Sequence, residues 1–502
     1  MQTRKFAALA GLAAAGTALG VAEIVAIFTG PATSPLVSVG GVVIDSVPGE
    51  VKDLAVQIFY TYDKLALTIG TLVVLAAIAA GIGVLAARRR LWGYIGIGLF
   101  GVVGIAAALS RHNSPWYAFV PTLVGAVAGA AVLRWLLTHE AGDNATAEER
   151  RWFLRAAGYT LAGAAAVGFF GRWWSTRRGV EADREAVNLP TVAPNSVAPL
   201  PPDADAKVPD LAPFVTPNKD FYLIDTSLVS PQLTTEDWKL RIYGKVEKEL
   251  TISWAELLQR PMIERYITLA CVSNEVGGGL IGNAKWQGVR VADLLAEARP
   301  RAGADQVVSR SIDGFTAGTP TDVLLDGRDA MLAVAMNGEP LPVQHGFPVR
   351  MVVPGLYGYV SATKWLVELE LTSFADFDAY WIKRGWSAKG PIKTESRIDA
   401  PRDGSSPHAG EITIAGVAWA QHRGISKVEV RVDNGAWQQA TLLPVPSIDT
   451  WRQWTLKWQA TPGQHRITVR ATDNGGDTQT DAVAPPDPDG ATGWHSISIE
   501  VK

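Results

Sequence analysis

The chain has 502 residues, enough for three or four domains, and 48% of them are hydrophobic. Its net charge is −3 and no block of Lys and Arg resembles a nucleic-acid footprint, so we expect no nucleic-acid partner. The single cysteine excludes a disulfide within the chain, so this residue is either an inert buried thiol or one kept for its chemistry.

Residues 1–174 are predicted to contain five transmembrane helices, because five segments are apolar and near the ~20 residues that cross a bilayer. They cover residues 6–28, 65–87, 91–109, 116–137 and 152–170. Basic clusters precede the first, third and fifth spans, at residues 4–5, 88–90 and 150–151. The positive-inside rule puts these clusters in the cytoplasm. We therefore expect a multi-pass protein of the cell membrane with everything after residue 174 on the extracytoplasmic side.

Two features of these spans allow alternatives. Glu23 lies within the first span, where an acid is either functional or reaches out to the interface. The fifth span opens with Arg150-Arg151 followed by Trp-Phe-Leu-Arg, which resembles a twin-arginine export signal at an internal helix. The alternative is an ordinary positive-inside cluster. An export signal of this type suits a domain that folds around a cofactor before it crosses the membrane.

The soluble part divides into three. Residues 175–215 are rich in proline and predict a semi-rigid linker. Residues 216–394 mix short apolar strands with short helices at 253–258 and 291–295, which predicts an α+β domain. Residues 395–502 show strand alternation, with Asp433-Asn434-Gly435 as a predicted two-residue hairpin turn. This last part predicts an immunoglobulin-like β-sandwich, which by itself would be an adhesion or dimerisation module without visible chemistry.

Three stretches of the α+β domain carry candidate chemistry. Cys271 ends a strand-like run and enters a Gly-rich loop, a position for a soft metal ligand or a nucleophile, although an inert thiol is the plainer alternative. In residues 336–355, Arg350 could direct a bidentate fork at an anion and His345 could add a donor. The alternative there is a surface loop followed by a core strand. Residues 358–365 form a small-residue loop that could wrap a phosphate.

In order and spacing, these stretches resemble the oxidoreductase molybdopterin-binding domain of the sulfite oxidase family, in a membrane-anchored bacterial form, over roughly residues 215–380. The sandwich is similar to the C-terminal dimerisation domain of that family, which implies a homodimer. The resemblance makes Cys271 the catalytic residue and the ligand of molybdenum in a molybdenum-molybdopterin cofactor. It also implies pterin contacts, with the basic residues serving the phosphate, from Asn218, Tyr222, His345, Arg350, Ser361, Thr363 and Lys364. Ser311 and Asp313 are further candidates that could face the site.

The chain also departs from the family. Ile224 and Glu275 occupy positions where the family has arginines, and residues 314–318 lack the expected tyrosine. A carboxylate beside the metal would repel a sulfite dianion by about 1–4 kcal/mol at 4 Å. We therefore expect oxygen-atom transfer on an S-oxide, an N-oxide or an oxidised protein side chain. The alternatives are a sulfite dehydrogenase or oxidase and a non-catalytic surface binding module.

The route of the electrons is not encoded in an obvious motif. The sequence has no Cys-x-x-Cys-His haem site, and none of its seven histidines lies well inside a predicted span. The helices therefore meet a quinone or a partner subunit, or only anchor the protein, and we expect a separate redox partner. A transporter is disfavoured, because no pair of spans is broken by Gly or Pro at matching positions.

Overall fold

The structure is a computed structural model that describes residues 2–46, 63–111, 114–139, 146–177, 180–197 and 199–502. The chain forms two compact units. The N-terminal unit contains the residues up to Asp183 together with Thr226–Gln232 and Ile312–Gly314. The C-terminal unit contains the rest of the chain.

The described part of the N-terminal unit is helical. Its helices are α1 (Gln2–Thr29), α2 (Pro35–Ser46), α3 (Asp63–Arg88), α4 (Arg90–Leu109), α5 (Val120–Thr138) and α6 (Ala147–Arg177). All but α2 contain a stretch long and apolar enough to cross a membrane, which confirms the five predicted helices. The short apolar helix α2, of 12 residues, was not predicted.

Helix α1 packs closely against three of the other helices, because glycines let the backbones approach. A Cβ atom at Gly11 would lie 2.1 Å from the carbonyl oxygen of Ala79 in α3. A Cβ atom at Gly125 in α5 would lie 2.3 Å from the carbonyl oxygen of Ala18. The carboxylate of Glu23 is 8% exposed and accepts a hydrogen bond from Ser34, so it stays inside this unit instead of reaching outward.

The first domain of the C-terminal unit is built on two mixed or antiparallel sheets. Their strands are β1 (Lys239–Gly244), β2 (Leu250–Ser253), β3 (Met262–Ala270), β4 (Ile281–Arg290), β5 (Gln306–Ser311), β6 (Thr316–Pro320), β7 (Met331–Met336), β8 (Glu339–Pro340), β9 (Arg350–Val352) and β10 (Leu366–Thr372). One sheet has the order β2-β1-β10-β5-β6, and the other has the order β3-β4-β7-β8 with β9 also pairing with β7. The short helix α7 (Glu181–Ala186) has residues in both units, and four more short helices accompany the strands: α8 (Trp254–Leu258), α9 (Val291–Ala298), α10 (Thr321–Leu325) and α11 (Gly358–Ser361).

Both helices predicted in this domain are present. Helix α8 begins after Ser253, whose hydroxyl accepts from the backbone N–H of Glu256 while the Glu256 carboxylate accepts from the Ser253 backbone, a capping box. Helix α9 continues three residues beyond the predicted end, to Ala298, because its apolar side chains remain buried on one face.

The predicted linker is not a free spacer where it belongs to the C-terminal unit. The carbonyl oxygen of Pro190 accepts a hydrogen bond of 2.7 Å from the Gln287 side chain, and that of Ala212 accepts one of 2.8 Å from Gln453. Val197 pairs with Glu264 in an isolated parallel bridge. These contacts fix the proline-rich segment to both domains of this unit, because its carbonyl groups are not used in regular secondary structure and can accept hydrogen bonds from elsewhere.

The second domain is a β-sandwich, as predicted. Its strands are β11 (Glu395–Ala400), β12 (Gly410–Trp419), β13 (Ile425–Val432), β14 (Gln438–Gln439), β15 (Thr441–Leu442), β16 (Arg452–Ala460), β17 (Gly463–Asp473) and β18 (His495–Val501). The sheets β11-β12-β16-β15 and β14-β13-β17-β18 enclose a core that includes Val428, Trp454 and Ile467. The predicted two-residue hairpin is wrong: Val430 pairs with Gln438, so residues 433–437 form a longer loop.

The sandwich is joined to the edge strand β3 of the first domain. The Thr268 backbone N–H donates to the carbonyl oxygen of Asp449 at 3.0 Å, and the backbone N–H of Trp451 donates to the Thr268 hydroxyl at 2.7 Å. The Gln421 side chain donates to the carbonyl oxygen of Thr268 at 3.1 Å. These bonds cover an edge that would otherwise be unpaired, and they fix the sandwich beside the strand that ends at Cys271.

Candidate active site

Cys271 directly follows β3, as the sequence predicts, and is the chain's one free thiol. Its backbone N–H donates to the carbonyl oxygen of Leu280 at 2.9 Å, which closes the loop 271–280. Burial raises the pKa of the Cys271 thiol, and hydrogen bonds from Ser273 and Val272 partly oppose this rise. Since a metal binds the thiolate, ligation here must release a proton.

Tyr222 belongs to an aromatic cluster and feels the charge of Cys271. Burial raises the pKa of the Tyr222 phenol; negative charge on Cys271 adds to the rise, and the Arg350 guanidinium opposes it. Tyr222 stacks on Phe221 with ring centroids 5.2 Å apart, and Phe221 meets Trp286 edge-on at 5.7 Å. The Tyr222 phenol is therefore held by an aromatic cluster within reach of the charges of both Cys271 and Arg350.

Gly358 lies in van der Waals contact with two parts of the site. A Cβ atom there would lie 3.7 Å from the carbonyl oxygen of Ala270 and 3.8 Å from the Tyr222 hydroxyl. The residue before Cys271 and the start of α11 therefore meet at Tyr222, so two of the three predicted stretches converge on one point.

Arg350 is the central cation of the site. Its side chain is 5% exposed, and burial lowers the pKa of its guanidinium to about 10. It donates to the carbonyl oxygen of His345 at 3.2 Å and lies 4.9 Å from the centre of the Trp286 ring. Its Nε–H has no hydrogen-bond partner, and no carboxylate of the described residues forms an ion pair with it. A buried guanidinium without a counter-ion is suited to an anionic ligand.

His345 is buried and neutral. Burial and the charge of Arg350 lower the pKa of its imidazole to about 4. Its Nε2 atom donates to the carbonyl oxygen of Asn218 at 3.0 Å, which fixes the tautomer with the proton on Nε2. The predicted contact of His345 with the pterin stays a prediction, and a neutral ring would take part in it as a polar group and not as a cation.

Lys364 is also compensated within the protein. Its ammonium group forms a buried ion pair of 2.6 Å with Asp225 and donates to the carbonyl oxygen of Gln344 at 3.1 Å. Ser361 and Thr363 are fully buried: the Ser361 hydroxyl donates to the Tyr357 carbonyl oxygen at 2.9 Å, and the Thr363 hydroxyl bonds to Ser309 at 2.7 Å. These three side chains shape the loop 358–365 from within.

The remaining predicted residues lie at the edges of this arrangement. The amide group of Asn218 accepts from Asn337 at 2.7 Å and donates to the carbonyl oxygen of Met336 at 3.2 Å, so it joins the ends of two segments. Ser311 ends β5 in the other sheet, and Asp313 lies in the following turn. The proposed roles of Ser311 and Asp313 stay predictions.

The sandwich contributes residues that the sequence analysis missed. A Cβ atom at Gly277, whose φ is +79°, would lie 2.2 Å from the His495 ring. Arg397 donates to the carbonyl oxygen of Gly278 at 2.8 Å and pairs with Asp399. The Cys271 loop is therefore held by strands β11 and β18. The Gly277-Gly278-Gly279 run was the available signal, because such a run indicates close backbone approach.

The sequence analysis also missed Tyr357 and Glu395. Burial and the nearby Glu395 carboxyl raise the pKa of the Tyr357 phenol, and charge on Cys271 adds to the rise. Glu395 begins β11, is 5% exposed, and has its pKa raised to about 8 by burial. One of its carboxyl oxygens has no hydrogen-bond partner. The sandwich therefore places a carboxyl that is protonated at neutral pH near Tyr357.

The donors of the site suit an anionic, thiolate-ligated group. Among the predicted stretches of this domain that the structure describes, the Nε of Arg350 and the side-chain nitrogen of Asn274, three residues from Cys271, are buried without a protein partner. The other Asn274 side-chain atom, its oxygen, accepts from the Leu280 backbone at 2.7 Å. A soft thiolate with unpaired N–H donors and an uncompensated guanidinium nearby can hold a metal cofactor that carries phosphate.

Two family descriptions match this chain. "Oxidoreductase molybdopterin binding domain" matches residues 227–381, which contain Cys271 and Arg350. "Bacterial Ig domain" matches residues 395–469 of the sandwich.

Similar proteins include the mitochondrial sulfite oxidase of Homo sapiens, 31% identical over 321 residues, which cover 54% of this chain and 58% of that protein. The match to the mouse enzyme covers 62% of its length, so the chain spans about three fifths of these relatives. An uncharacterized oxidoreductase of Bacillus subtilis, YuiH, is 34% identical over 153 residues and is matched over 74% of its length. The crystal structure of the sulfane dehydrogenase SoxCD from Paracoccus pantotrophus has a similar fold: the TM-score is 0.50 at 22% identity, with 64% of this chain and 93% of that chain covered.

Proposed function

Because this chain belongs to the sulfite oxidase family of molybdenum-dependent oxidoreductases, we propose that it transfers an oxygen atom from a neutral S-oxide or N-oxide, or from an oxidised protein side chain. Its cofactor is molybdenum-molybdopterin. We propose Cys271 as the metal ligand, and Arg350, Tyr222 and Asn274 as residues that contact the cofactor or the substrate.

The observation that carries this proposal is the shortage of free positive charge around Cys271. Arg350 is the cation that acts on Tyr222, and the family resemblance assigns its charge to the cofactor phosphate. Lys364 is neutralised by Asp225, and His345 is uncharged. Among the described residues, Lys364 and His345 therefore offer a dianion such as sulfite no further uncompensated positive charge, whereas a neutral oxide needs none.

The two positions that would carry arginines in the family support the same conclusion. Ile224 is 49% exposed and presents an apolar surface. Glu275 is exposed and brings a negative charge, whose effect water reduces to the lower end of the expected range. Both residues favour an uncharged substrate over an anionic one.

The protein groups have separate roles in the reaction. The bound cofactor supplies the two-electron redox couple and the position at which oxygen is exchanged. Cys271 holds it at the end of β3, and the Tyr222 hydroxyl can donate a hydrogen bond to the oxygen of the substrate. The buried rings of Phe221 and Trp286 pack in the cluster that contains Tyr222 and hold this phenol in place. Arg350 balances negative charge at the site without a proton transfer, since its guanidinium stays protonated at neutral pH.

The helices α1 and α3–α6 supply the proposed membrane anchor. Their length and composition support membrane spanning, and the basic clusters support an extracytoplasmic catalytic domain reached through the twin-arginine signal of α6. We propose a small-molecule or side-chain substrate, a homodimer through the sandwich, and electron exchange with a quinone or a partner subunit.

Steady-state assays of the purified holoenzyme test the function. Reduced benzyl viologen should be oxidised on addition of methionine sulfoxide or trimethylamine N-oxide, while sulfite should reduce ferricyanide at least ~100-fold less efficiently. Sulfite turnover as efficient as that of either oxide would refute the proposal. Molybdenum-free protein from the same preparation is the control for cofactor dependence.

A charge reversal tests the physical reason. Glu275→Arg should raise kcat/KM for sulfite by roughly 5- to 30-fold, because it replaces repulsion by attraction, and should leave the values for neutral oxides within about 2-fold. Glu275→Gln should produce roughly half of that effect on a logarithmic scale. If both variants leave sulfite turnover unchanged, charge does not determine the specificity.

Sulfite oxidation remains the second candidate, because the curated relatives that match more than half of this chain are named sulfite oxidases. The same two assays decide between the candidates. A non-catalytic binding module would require properly matured protein without molybdenum.

A further inference from the structure

The N-terminal unit contains an apolar cavity among α1, α2, α3, α4 and α5. Its volume is about 160 Å³ and it is partly open. Small side chains form much of its wall, among them Ala18, Gly101 and Gly129. An apolar protein cavity of about 150 Å³ accommodates benzene, so this one accepts a single six-membered ring.

The wall carries an unsatisfied polar group. The side chain of Thr122, at the start of α5, lines the cavity and is 7% exposed. Its hydroxyl has no hydrogen-bond partner, although threonines in helices can bond to a preceding carbonyl group. A buried hydroxyl without a partner costs about 1–3 kcal/mol, and a ligand with a polar atom at this place would remove that cost.

An ionisable group lies next to the cavity. Ala22 and Pro35 line the cavity, and their chain neighbours Glu23 and Ser34 are joined by a buried hydrogen bond. A carboxyl inside apolar helices is expensive, and such groups commonly mark proton routes. The cavity therefore combines space for a ring, one hydroxyl donor and a nearby buried carboxyl group.

We propose that this cavity binds the ring of an isoprenoid quinone, with a ring carbonyl accepting a hydrogen bond from Thr122. A lipid acyl chain would fill apolar space but would use neither the hydroxyl nor the carboxyl. The prenyl tail leaves through the open side of the cavity into the apolar phase.

In the proposed reaction, the bound quinol is the electron donor of the enzyme. A quinol gives up two electrons and two protons when it becomes the quinone. Removal of one oxygen atom from an S-oxide takes up two electrons and two protons and releases water, so the two half-reactions balance. This redox role rests on the proposed function, but binding in the cavity does not.

Two matched pairs of variants test the site. Gly101 lines the cavity, and a Cβ atom there would meet only ordinary contact, 3.6 Å from Ala126. Gly98 lies in the same helix, and a Cβ atom there would meet nothing within 4 Å. Gly101→Leu therefore fills the cavity, while Gly98→Leu makes the same change outside it. Thr122→Val removes the hydroxyl at constant shape, and Thr122→Ser keeps it.

The probe is a photoreactive azido-ubiquinone added to the full-length holoenzyme in phosphatidylcholine nanodiscs. Cross-linked peptides are mapped by mass spectrometry, with excess decylubiquinone as competitor. We expect competed labelling on α4 and α5, at least ~10-fold weaker in Gly101→Leu and unchanged in Gly98→Leu. Thr122→Val should weaken the competed labelling roughly 5-fold, because the loss of one hydrogen bond costs about 1 kcal/mol. Thr122→Ser should restore the labelling to the wild-type level.

Labelling that decylubiquinone does not displace, or that is equal in Gly101→Leu and Gly98→Leu, would overturn the proposal. So would extraction of phospholipid with no competable quinone labelling. Viologen-driven oxide reduction by the same wild-type preparation tests the proposed function separately: if it fails while labelling is competed, the quinone site stands and the proposed reaction does not.

Discussion

The charge of Arg350 has no counter-ion among the residues that the structure describes, so its removal should have opposite effects on two forms of the protein. Arg350→Met should stabilise the apoprotein and weaken cofactor binding in the holoenzyme. Burial lowers the pKa of the guanidinium from 12.5 to about 10. This shift corresponds to roughly 3 kcal/mol of unfavourable free energy for burying the charge. Arg350→Met removes that cost, keeps the apolar contact with Trp286, and loses the hydrogen bond to His345 worth about 1 kcal/mol. The apoprotein should therefore gain roughly 2 kcal/mol of unfolding free energy.

The holoenzyme should respond in the other direction. A charge-assisted hydrogen bond to an anionic cofactor contributes about 1.5–3 kcal/mol, so the variant should retain the cofactor roughly 10- to 100-fold less tightly. The guanidinium is charged in the folded and unfolded states at every pH well below 10, so the gain of the apoprotein should be the same at pH 6 and pH 8.

Urea unfolding of apoprotein made without molybdenum, and molybdenum analysis of matured protein, measure the two effects. Arg397→Met is the control, because Arg397 has a partly buried partner in Asp399 and its loss should destabilise both forms by about 1–3 kcal/mol. The reasoning is refuted if Arg350→Met destabilises the apoprotein, since the charge would then be compensated by the protein itself.

Three further changes test the site and its support. Cys271→Ser should abolish the thiolate-to-molybdenum absorption and leave less than about one tenth of the metal, because a hydroxyl is a poor soft ligand; undiminished metal in the variant would exclude this thiol as ligand. Gly277→Ala should lower the unfolding free energy by about 2 kcal/mol or more, because it combines a positive φ with a clash against His495. The control is Gly279→Ala, which should be neutral because a Cβ atom there would meet nothing within 4 Å. Equal melting temperatures of the two variants would contradict this. The raised pKa of Glu395, about 8, means that the folded state keeps a proton that the unfolded state has lost above about pH 4.5, so stability falls as pH rises to 8. Glu395→Gln should therefore gain up to about 5 kcal/mol at pH 8 and almost nothing at pH 4.5, and parallel stability curves for wild type and variant would argue against it.

Much of the fold follows from local patterns. Apolar stretches of helical length define α1 and α3–α6, because a bilayer requires one continuous length of apolar surface. The run of strand-forming residues before Cys271 predicts β3 and places the thiol at its end. These features depend on periodicity and on neighbours in the chain, which a single sequence contains.

The charges of the site residues could be determined only from the tertiary structure. Lys364 is neutralised by Asp225, 139 residues earlier, and no local pattern reveals such a pairing. His345 and Arg350 have basic side chains in the sequence, yet burial leaves one neutral and the other without a counter-ion. Burial depends on how distant segments pack, so the same residue type can be a free cation, a neutral donor or half of an ion pair.

The part played by the sandwich was also decided by tertiary structure alone. Its sequence shows strand alternation and turns, but the loop after β13 is longer than its Asp-Asn-Gly turn predicts, because pairing with β14 starts only at Gln438. Arg397 and His495 reach the Cys271 loop across more than a hundred residues of chain. Alternation fixes which face of a strand is buried, whereas the packing between domains fixes what that face touches, and here it touches the loop that carries the chemistry.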